Sequence, residues 1–293
     1  MCFDELAKRN QQFWNDNVLS GDQYTQMWLD INEEKLEMVK QGRVAGFHNP
    51  VVTVPYDSKM AKINRKIYGS IEGKKILCLA SGGGQQSVLF GLLGGNVTVL
   101  DLSEKQLECD KKAAEFYGYP INLFHGDMRD LGQFSEESFD FVYQPVSICF
   151  VPRPIEVYSE VYRILKHRGL YLVGHVNPAT YPITFENDKD GWDGIGYRIS
   201  TPYICGPIRK DERGFENMEN GIETGEFRHS FIEIFGDLIE AGLHIEEVWE
   251  DTRHLSSGDG TEFGGFDHMM SVVQMYFSIL SVKGSKEKRN LKY

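Results

Sequence analysis

From about residue 57 onward, short apolar runs alternate with longer stretches of helical period. The β-rich runs are Lys75–Leu79, Asn96–Asp101, Ile121–His125, Phe139–Gln144 and Gly169–Val176, and the helical stretches are 57–70, 85–94, 104–117 and 154–166. Strands separated by about ten to fifteen helical residues predict βαβ units and a parallel sheet. Local chemistry marks the helix ends. Ser103 followed by Gln106 has the spacing of a capping box, Gly118 supplies a left-handed stop, and Cys109, Ala113 and Phe116 form an inward stripe. Ser230 with Glu233 repeats the box, and Gly242 closes that helix after Phe231, Phe235 and Leu238. Two further strand-like runs, His244–Glu250 and Gln274–Lys283, flank a loop-rich stretch at 251–273. They predict an antiparallel pair at the end of the parallel sheet.

Two regions break the alternation. Residues 1–56 are rich in aromatics (Phe13, Trp14, Tyr24, Trp28, Phe47, Tyr56), and 177–229 hold Pro, Gly and charge with at most two short strands, near 196–204 and 223–229. The first reads as a helical extension, either a lid or a layer over the sheet edge. The second reads as an inserted cap on a domain spanning 57–283, because long irregular insertions near a site often act as lids. The tail 284–293 is expected to fray.

Composition narrows the class. A chain of 293 residues with 41% apolar and 12% aromatic residues can build one sizeable αβ domain, and is neither disordered nor fibrous. Acidic residues outnumber basic ones by 43 to 31, a net charge of −12, which argues against broad affinity for nucleic acid or anionic membranes. The five cysteines (Cys2, Cys78, Cys109, Cys149, Cys205) form no Cys-x-x-Cys pair, so neither a disulfide framework nor a zinc site is expected. No secretory leader or membrane-length apolar run is visible, and the expected location is cytoplasmic.

The chemistry concentrates at strand ends. Ile76–Leu79 runs through Ala80-Ser81-Gly82-Gly83-Gly84 into a helix, a turn that lets backbone approach a ligand closely. A dinucleotide fingerprint would continue to Gly or Ala at position 87, which is Ser, and Gln85 and Gln86 are bulky for a pyrophosphate turn. Asp101 ends the second strand, where a carboxylate can accept both hydroxyls of a ribose. Past the third strand, Asp127 can accept an exocyclic amine while Met128 covers a ring face, which together suggest adenosine.

The glycine turn, Asp101, Gly126-Asp127-Met128, Phe139-Asp140-Phe141-Val142-Tyr143 and Arg163-Ile164-Leu165-Lys166-His167-Arg168-Gly169 resemble the successive motifs of the class I S-adenosylmethionine-dependent methyltransferases. The likeness covers residues 57–176 and, in topology, the strand pair at 244–283. It implies a Rossmann-like seven-stranded sheet of order 3-2-1-4-5-7-6 with strand 7 antiparallel, binding S-adenosyl-L-methionine and releasing S-adenosyl-L-homocysteine. It also implies that the turn 80–84, with Ala80, Ser81, Gly82 and Gly84, lies under the methionine part, that Asp101 holds the ribose with Leu102 as a further cofactor contact, and that Asp127 and Met128 read the adenine, while Gln86 or the carbonyl of Gln144 can anchor the cofactor's amino group. Two positions depart from the pattern: Cys78 stands where the family usually has an acid, and Ala80 where it usually has glycine.

Methyl transfer from a sulfonium is an in-line displacement, so the protein mainly supplies alignment and desolvation. The expected acceptor is a small molecule, and Gln144-Pro145-Val146-Ser147 only partly matches the pattern of amine-methylating relatives. His175, at the end of the fifth strand, is the candidate base or substrate contact, ahead of His229 and His268. Cys149 lies near the expected methyl site but reads as a small core residue, and Tyr143 reads as packed within the sheet. The rival readings are a nicotinamide-dependent oxidoreductase and a non-catalytic binder of the same cofactor.

Overall fold

The computed structural model describes residues 3–45, 49–53, 57–183, 193–199, 206–207, 225–250, 268 and 272–284. Helices α1 (Glu5–Ser20), α2 (Glu33–Lys40) and α3 (Lys59–Tyr68) precede the sheet. Then follow β1 (Lys75–Leu79), α4 (Gln86–Leu92), β2 (Asn96–Asp101), α5 (Glu104–Tyr117), β3 (Ile121–His125), β4 (Phe139–Gln144), α6 (Pro154–Ile164) and β5 (Leu165–Val176). Helix α7 (Asp237–Ala241), β6 (Leu243–Glu250) and β7 (Tyr276–Lys283) complete the domain. The seven strands lie in the order β3-β2-β1-β4-β5-β7-β6. All pairings among the first five are parallel, and β7 runs antiparallel to both β5 and β6. That is the expected order.

The period-2 alternation of the central strands builds two cores. Leu77, Leu79, Val142, Tyr171 and Val173 point to one face, packed under α6 and α7 by Tyr158, Val161, Ile164 and Leu238. Ile76, Cys78, Val97, Val99, Phe141 and Tyr143 point to the other, under Ile63, Ile67, Leu89, Phe90 and Ala113. Burying each such aliphatic side chain contributes roughly 1.5–3 kcal/mol. Both faces covered is what a parallel sheet requires, and it puts the carboxyl ends of the strands at one exposed rim.

Several local expectations change. Phe116 was placed in the inward stripe of α5 but is 63% exposed; Cys109 and Ala113 are buried, and the inward face continues through Gln106 and Asp110 instead. Phe231 is 44% exposed, because a π-turn at Ile232–Gly236 shifts the helical phase so that Ile234, Leu238 and Ala241 face the core. The full reciprocal capping box forms there, Ser230 N–H donating to Glu233 Oε2 at 2.8 Å and Glu233 N–H to Ser230 Oγ at 3.2 Å. At Ser103 only half of it forms: Ser103 Oγ accepts from Gln106 N–H at 3.1 Å, while the Gln106 side chain lies against the glycine turn. Strand β5 starts at Leu165 rather than Gly169. Leu165 pairs with Phe139 and Leu170 with Phe141, so the charged stretch 166–169 bulges out of the ladder, with Arg168 at φ 60°.

In the inserted region, Gly206–Pro207 pairs with Phe227–Arg228 and Ile183 bridges Ile199. Phe47, Tyr56, Phe185, Trp192 and Tyr203, the cysteines Cys2 and Cys205, most of 251–273, and 285–293 lie outside the described residues. No helix among the described residues is long and apolar enough to cross a membrane.

Candidate active site

The chain leaves β1 through Ala80, whose φ of 45° lies in the left-handed region and whose N–H donates to the Leu100 carbonyl at 2.8 Å. An alanine there costs about 1 kcal/mol relative to glycine, so the departure at this position is one of backbone strain rather than volume. Ser81 Oγ donates to Gln86 Oε1 at 3.2 Å. Gly82 N–H donates to Asp101 Oδ2 at 2.9 Å, and Gly83 N–H to Asp110 Oδ2 at 2.9 Å. Gly83 and Gly84 adopt φ of 106° and 69°. A Cβ on Gly82 would stand 2.5 Å from Gln106 Cβ and 2.9 Å from Asp101 Oδ2; one on Gly84 would stand 2.9 Å from the Cys109 carbonyl. These glycines are therefore demanded by close packing on α5 as well as by any ligand.

Asp101 sits at the rim of β2, 8% exposed, its Oδ1 accepting from Ser103 N–H at 2.8 Å. Burial pushes its carboxyl up to about 6 against these hydrogen bonds. Each oxygen still has a lone pair beyond the one used, so ribose hydroxyls can be accepted as well. The Leu102 carbonyl is 2.9 Å from His125 Nε2.

Asp127 is clamped by Arg129, whose Nε lies 3.0 and 3.1 Å from its two oxygens and whose guanidinium continues to Asp4 at 2.9 and 3.0 Å. Asp4 is the N-cap of α1, accepting from Ala7 N–H at 2.8 Å. Arg129 therefore ties the rim of β3 to the start of α1. It carries no motif, and its place two residues after Asp127 was the only signal in the chain.

Gln144 ends β4 fully buried. Its Oε1 accepts from Tyr171 Oη at 2.5 Å, and its Nε2 donates to Ser147 Oγ at 3.1 Å and Met128 Sδ at 3.3 Å. This holds the Met128 thioether beside the end of β4 and leaves the Gln144 side chain committed to the protein.

Helix α1 crosses the rim above these groups. Asn15 Oδ1 accepts from Ser103 Oγ at 2.7 Å, Gln11 reaches His125, Asn10 Nδ2 donates to the Phe150 carbonyl at 3.3 Å, and Trp14 packs edge-on to Phe150. Those contacts follow β2, β3 and β4 in turn. Beyond α1, Trp28 N–H donates to the Gly84 carbonyl at 2.9 Å.

His175 is fully buried at the end of β5, stacked on Phe277 at 5.3 Å and edge-on to Tyr158 at 6.4 Å. Neither ring nitrogen has a hydrogen-bond partner among the described residues, and the same is true of Tyr158 Oη. Burial, helped by His229, pushes the imidazole down to about 3. This environment makes a neutral hydrogen-bond partner rather than a proton acceptor near neutrality. His229 Nε2 lies 2.9 Å from the Val151 carbonyl, and His268 Nδ1 lies 2.8 Å from Tyr197 Oη. Cys149 is buried and its thiol is pushed well up, so it is no ready nucleophile. Tyr143 is buried within the sheet, as expected.

A seven-stranded sheet with an antiparallel β7, a glycine turn after β1 and an acidic residue at the rim of β2 define the class I methyltransferase architecture. Comparison with known proteins agrees. The methyltransferase domain family matches residues 77–173. The uncharacterized methyltransferase YbaJ of Bacillus subtilis is 33% identical over 246 residues, covering 84% of this chain and 91% of that protein. An arsenite methyltransferase of Mus musculus is 36% identical over 135 residues, 42% of this chain and 36% of that protein. Among solved structures, an S-adenosylmethionine-dependent methyltransferase of Mesorhizobium loti superposes with a TM-score of 0.58 at 20% identity, covering 77% of this chain and 98% of that one. A geranyl diphosphate C-methyltransferase of Streptomyces coelicolor, solved with S-adenosyl-L-homocysteine, gives 0.54 at 14% identity over 97% and 100%. The chain belongs to the S-adenosylmethionine-dependent methyltransferases, which sets aside the nicotinamide and non-catalytic readings. The residues present suit that cofactor: an acid with spare lone pairs at the β2 rim, a thioether held beside Gln144, and a turn without side chains at three successive positions.

Proposed function

We propose that this enzyme moves its methyl group by direct in-line displacement onto a small-molecule acceptor that enters beneath α1. The observation that carries the reading is the roof: α1 lies across the ends of β2, β3 and β4 and is pinned at its start by Arg129. A site covered in this way suits a ligand that can be enclosed and desolvated, and a net charge of −12 disfavours a polyanion as acceptor. The arsenite methyltransferase relative is likewise named for a small acceptor.

In this reading the cofactor supplies the activated methyl, and the chain's residues bind and align. Asp101 and the Leu102 backbone hold the ribose, Met128 covers the adenine, and Asp127 accepts its amine in competition with Arg129. Residues 80–84, with Gln86 and the backbone of Gln144, lie under the methionine part. His175, in its neutral form, hydrogen-bonds the acceptor and holds it for attack. Helix α1 and the inserted segment 177–229 act as lids.

The test is transfer of labelled methyl from S-adenosylmethionine to a panel of small thiols, amines, phenols, carboxylic acids and arsenite, alongside RNA and denatured protein. Label appearing only in polymer would remove the small-molecule reading. A chiral methyl group should arrive inverted; retention would remove direct displacement.

A further inference from the structure

Beneath the glycine turn lies a second carboxylate. Asp110, on α5, is fully buried. Its Oδ2 accepts from Gly83 N–H at 2.9 Å and its Oδ1 from Ser87 Oγ at 2.5 Å, and the Gly84 amide also stabilises its charge. Asp101 accepts from Gly82 N–H. The amides with which such a turn would grip a phosphate are thus already engaged by two carboxylates of the chain itself.

Hydrogen-bond donors stabilise this charge, but among the described residues the ionisable neighbours of Asp110 supply no positive charge to balance it. The ionisable groups that face Asp110 are Asp101 from β2, Cys78 from β1, Cys109 on its own helix and Tyr119 just beyond it. None of these is basic. Burial, with Asp101 adding to it, raises the Asp110 carboxyl to about 7. A ligand on the turn therefore meets negative potential from below. A cation relieves it, and an anion adds to it.

We propose that Asp110 is a specificity-determining residue, the internal counter-anion of the glycine turn, which favours the sulfonium cofactor over its neutral demethylated product and over phosphate-bearing nucleotides. Asp110 touches the turn and not the reacting atoms, so it acts by position and charge. Methyl transfer leaves the S–C electron pair on sulfur and removes the positive charge. With the sulfur uncharged, the buried Asp110 carboxylate would no longer favour the bound molecule, and the product would be held more weakly. The inference rests on the cofactor assignment above.

The experiment is isothermal titration calorimetry of the full chain with S-adenosylmethionine, S-adenosylhomocysteine, ADP and inorganic pyrophosphate, at about pH 5.5 and about pH 7.5. The wild type should prefer S-adenosylmethionine to S-adenosylhomocysteine, by a ratio that rises at least about threefold between the two pH values, and should bind ADP and pyrophosphate far more weakly. Asp110→Asn should lower the ratio at the higher pH and reduce its rise between the two pH values, leaving only the part that Asp101, raised to about 6, contributes. An unchanged ratio in the variant, or wild-type affinity for pyrophosphate equal to that for the product, would overturn the proposal. If Asp110→Asn does not fold, wild-type titrations in two buffers of different ionisation enthalpy decide it: proton release on binding S-adenosylmethionine but not S-adenosylhomocysteine supports it, and equal release overturns it. Failure of both adenosyl compounds to bind would instead indict the cofactor assignment.

Discussion

The glycine turn and the end of β5 are finished to different degrees. Around the glycine turn, Gly82, Gly83, Ser87, Asp101 and Asp110 satisfy one another, and Gln144 is bonded at both ends of its amide. At the end of β5, His175 and Tyr158 are just as buried, yet their polar atoms have no partner among the described residues. An unmade buried hydrogen bond costs about 1–3 kcal/mol. The difference teaches that the turn is preorganised by the chain itself, whereas the end of β5 keeps unused hydrogen-bonding capacity, which in the proposed reading serves the acceptor.

The largest break in this contrast should come from Gly82→Val. The added side chain must push Gln106 and Asp101 aside, so we expect loss of measurable S-adenosylmethionine binding together with a stability loss of about 1–3 kcal/mol in urea titrations. Normal affinity would show that the turn tolerates displacement from α5. On the other side, His175→Ala leaves a cavity and should cost about 2–4 kcal/mol. His175→Phe, which removes the unpartnered nitrogens at similar volume, should match or exceed wild-type stability by about 1 kcal/mol while cutting turnover at least about tenfold. Full turnover in His175→Phe would take that side chain away from the acceptor.

Asp101→Ala should weaken cofactor binding by about 1–3 kcal/mol, read by calorimetry. The pH dependence separates the halves further. Asp101 and Asp110 are raised in the folded state, from 3.8 to about 6 and about 7, so the stability they confer is complete below about pH 4 and is lost as pH rises through 6 to 7. His175 is lowered from 6.5 to about 3, so its contribution is present above about pH 6.5 and is lost as pH falls toward 3. Asp110→Asn should flatten the loss on the alkaline side, and His175→Phe the loss on the acid side. Denaturation midpoints across pH 4 to 8 that move in neither variant would show that these groups do not govern it. The smallest effect is expected for Asp4→Asn, which keeps an N-cap acceptor and removes only the partly exposed pair with Arg129, so stability should change by about 0.2–1 kcal/mol, with faster amide exchange at the start of α1 as the readout.

Much of the architecture was legible because it rests on local patterns. The first four strands fall on their expected ranges, since period-2 alternation and flanking glycines are short-range signals, and the cofactor-side motifs follow β1, β2 and β3 in order. Asp110 was missed although it lies four residues after Gln106, on the face α5 buries. The apolar period Cys109, Ala113 and Phe116 runs along a neighbouring face, whose last member is exposed. The π-turn that exposes Phe231 is likewise invisible to a search at a fixed helical period.

Sequence alone therefore determined the alternating strands and helices of a parallel sheet, because hydrophobic periodicity and turn chemistry act over a few neighbouring residues, while the sheet order was legible only through the resemblance to a known family. Only the tertiary structure decided which carboxylates hold the glycine turn, that Arg129 ties Asp127 to α1, and that His175 is buried against Phe277 and Tyr158 with its ring nitrogens unpaired among the described residues. Those facts depend on contacts between residues distant in the chain, and on the burial that shifts their charge, neither of which a local pattern encodes.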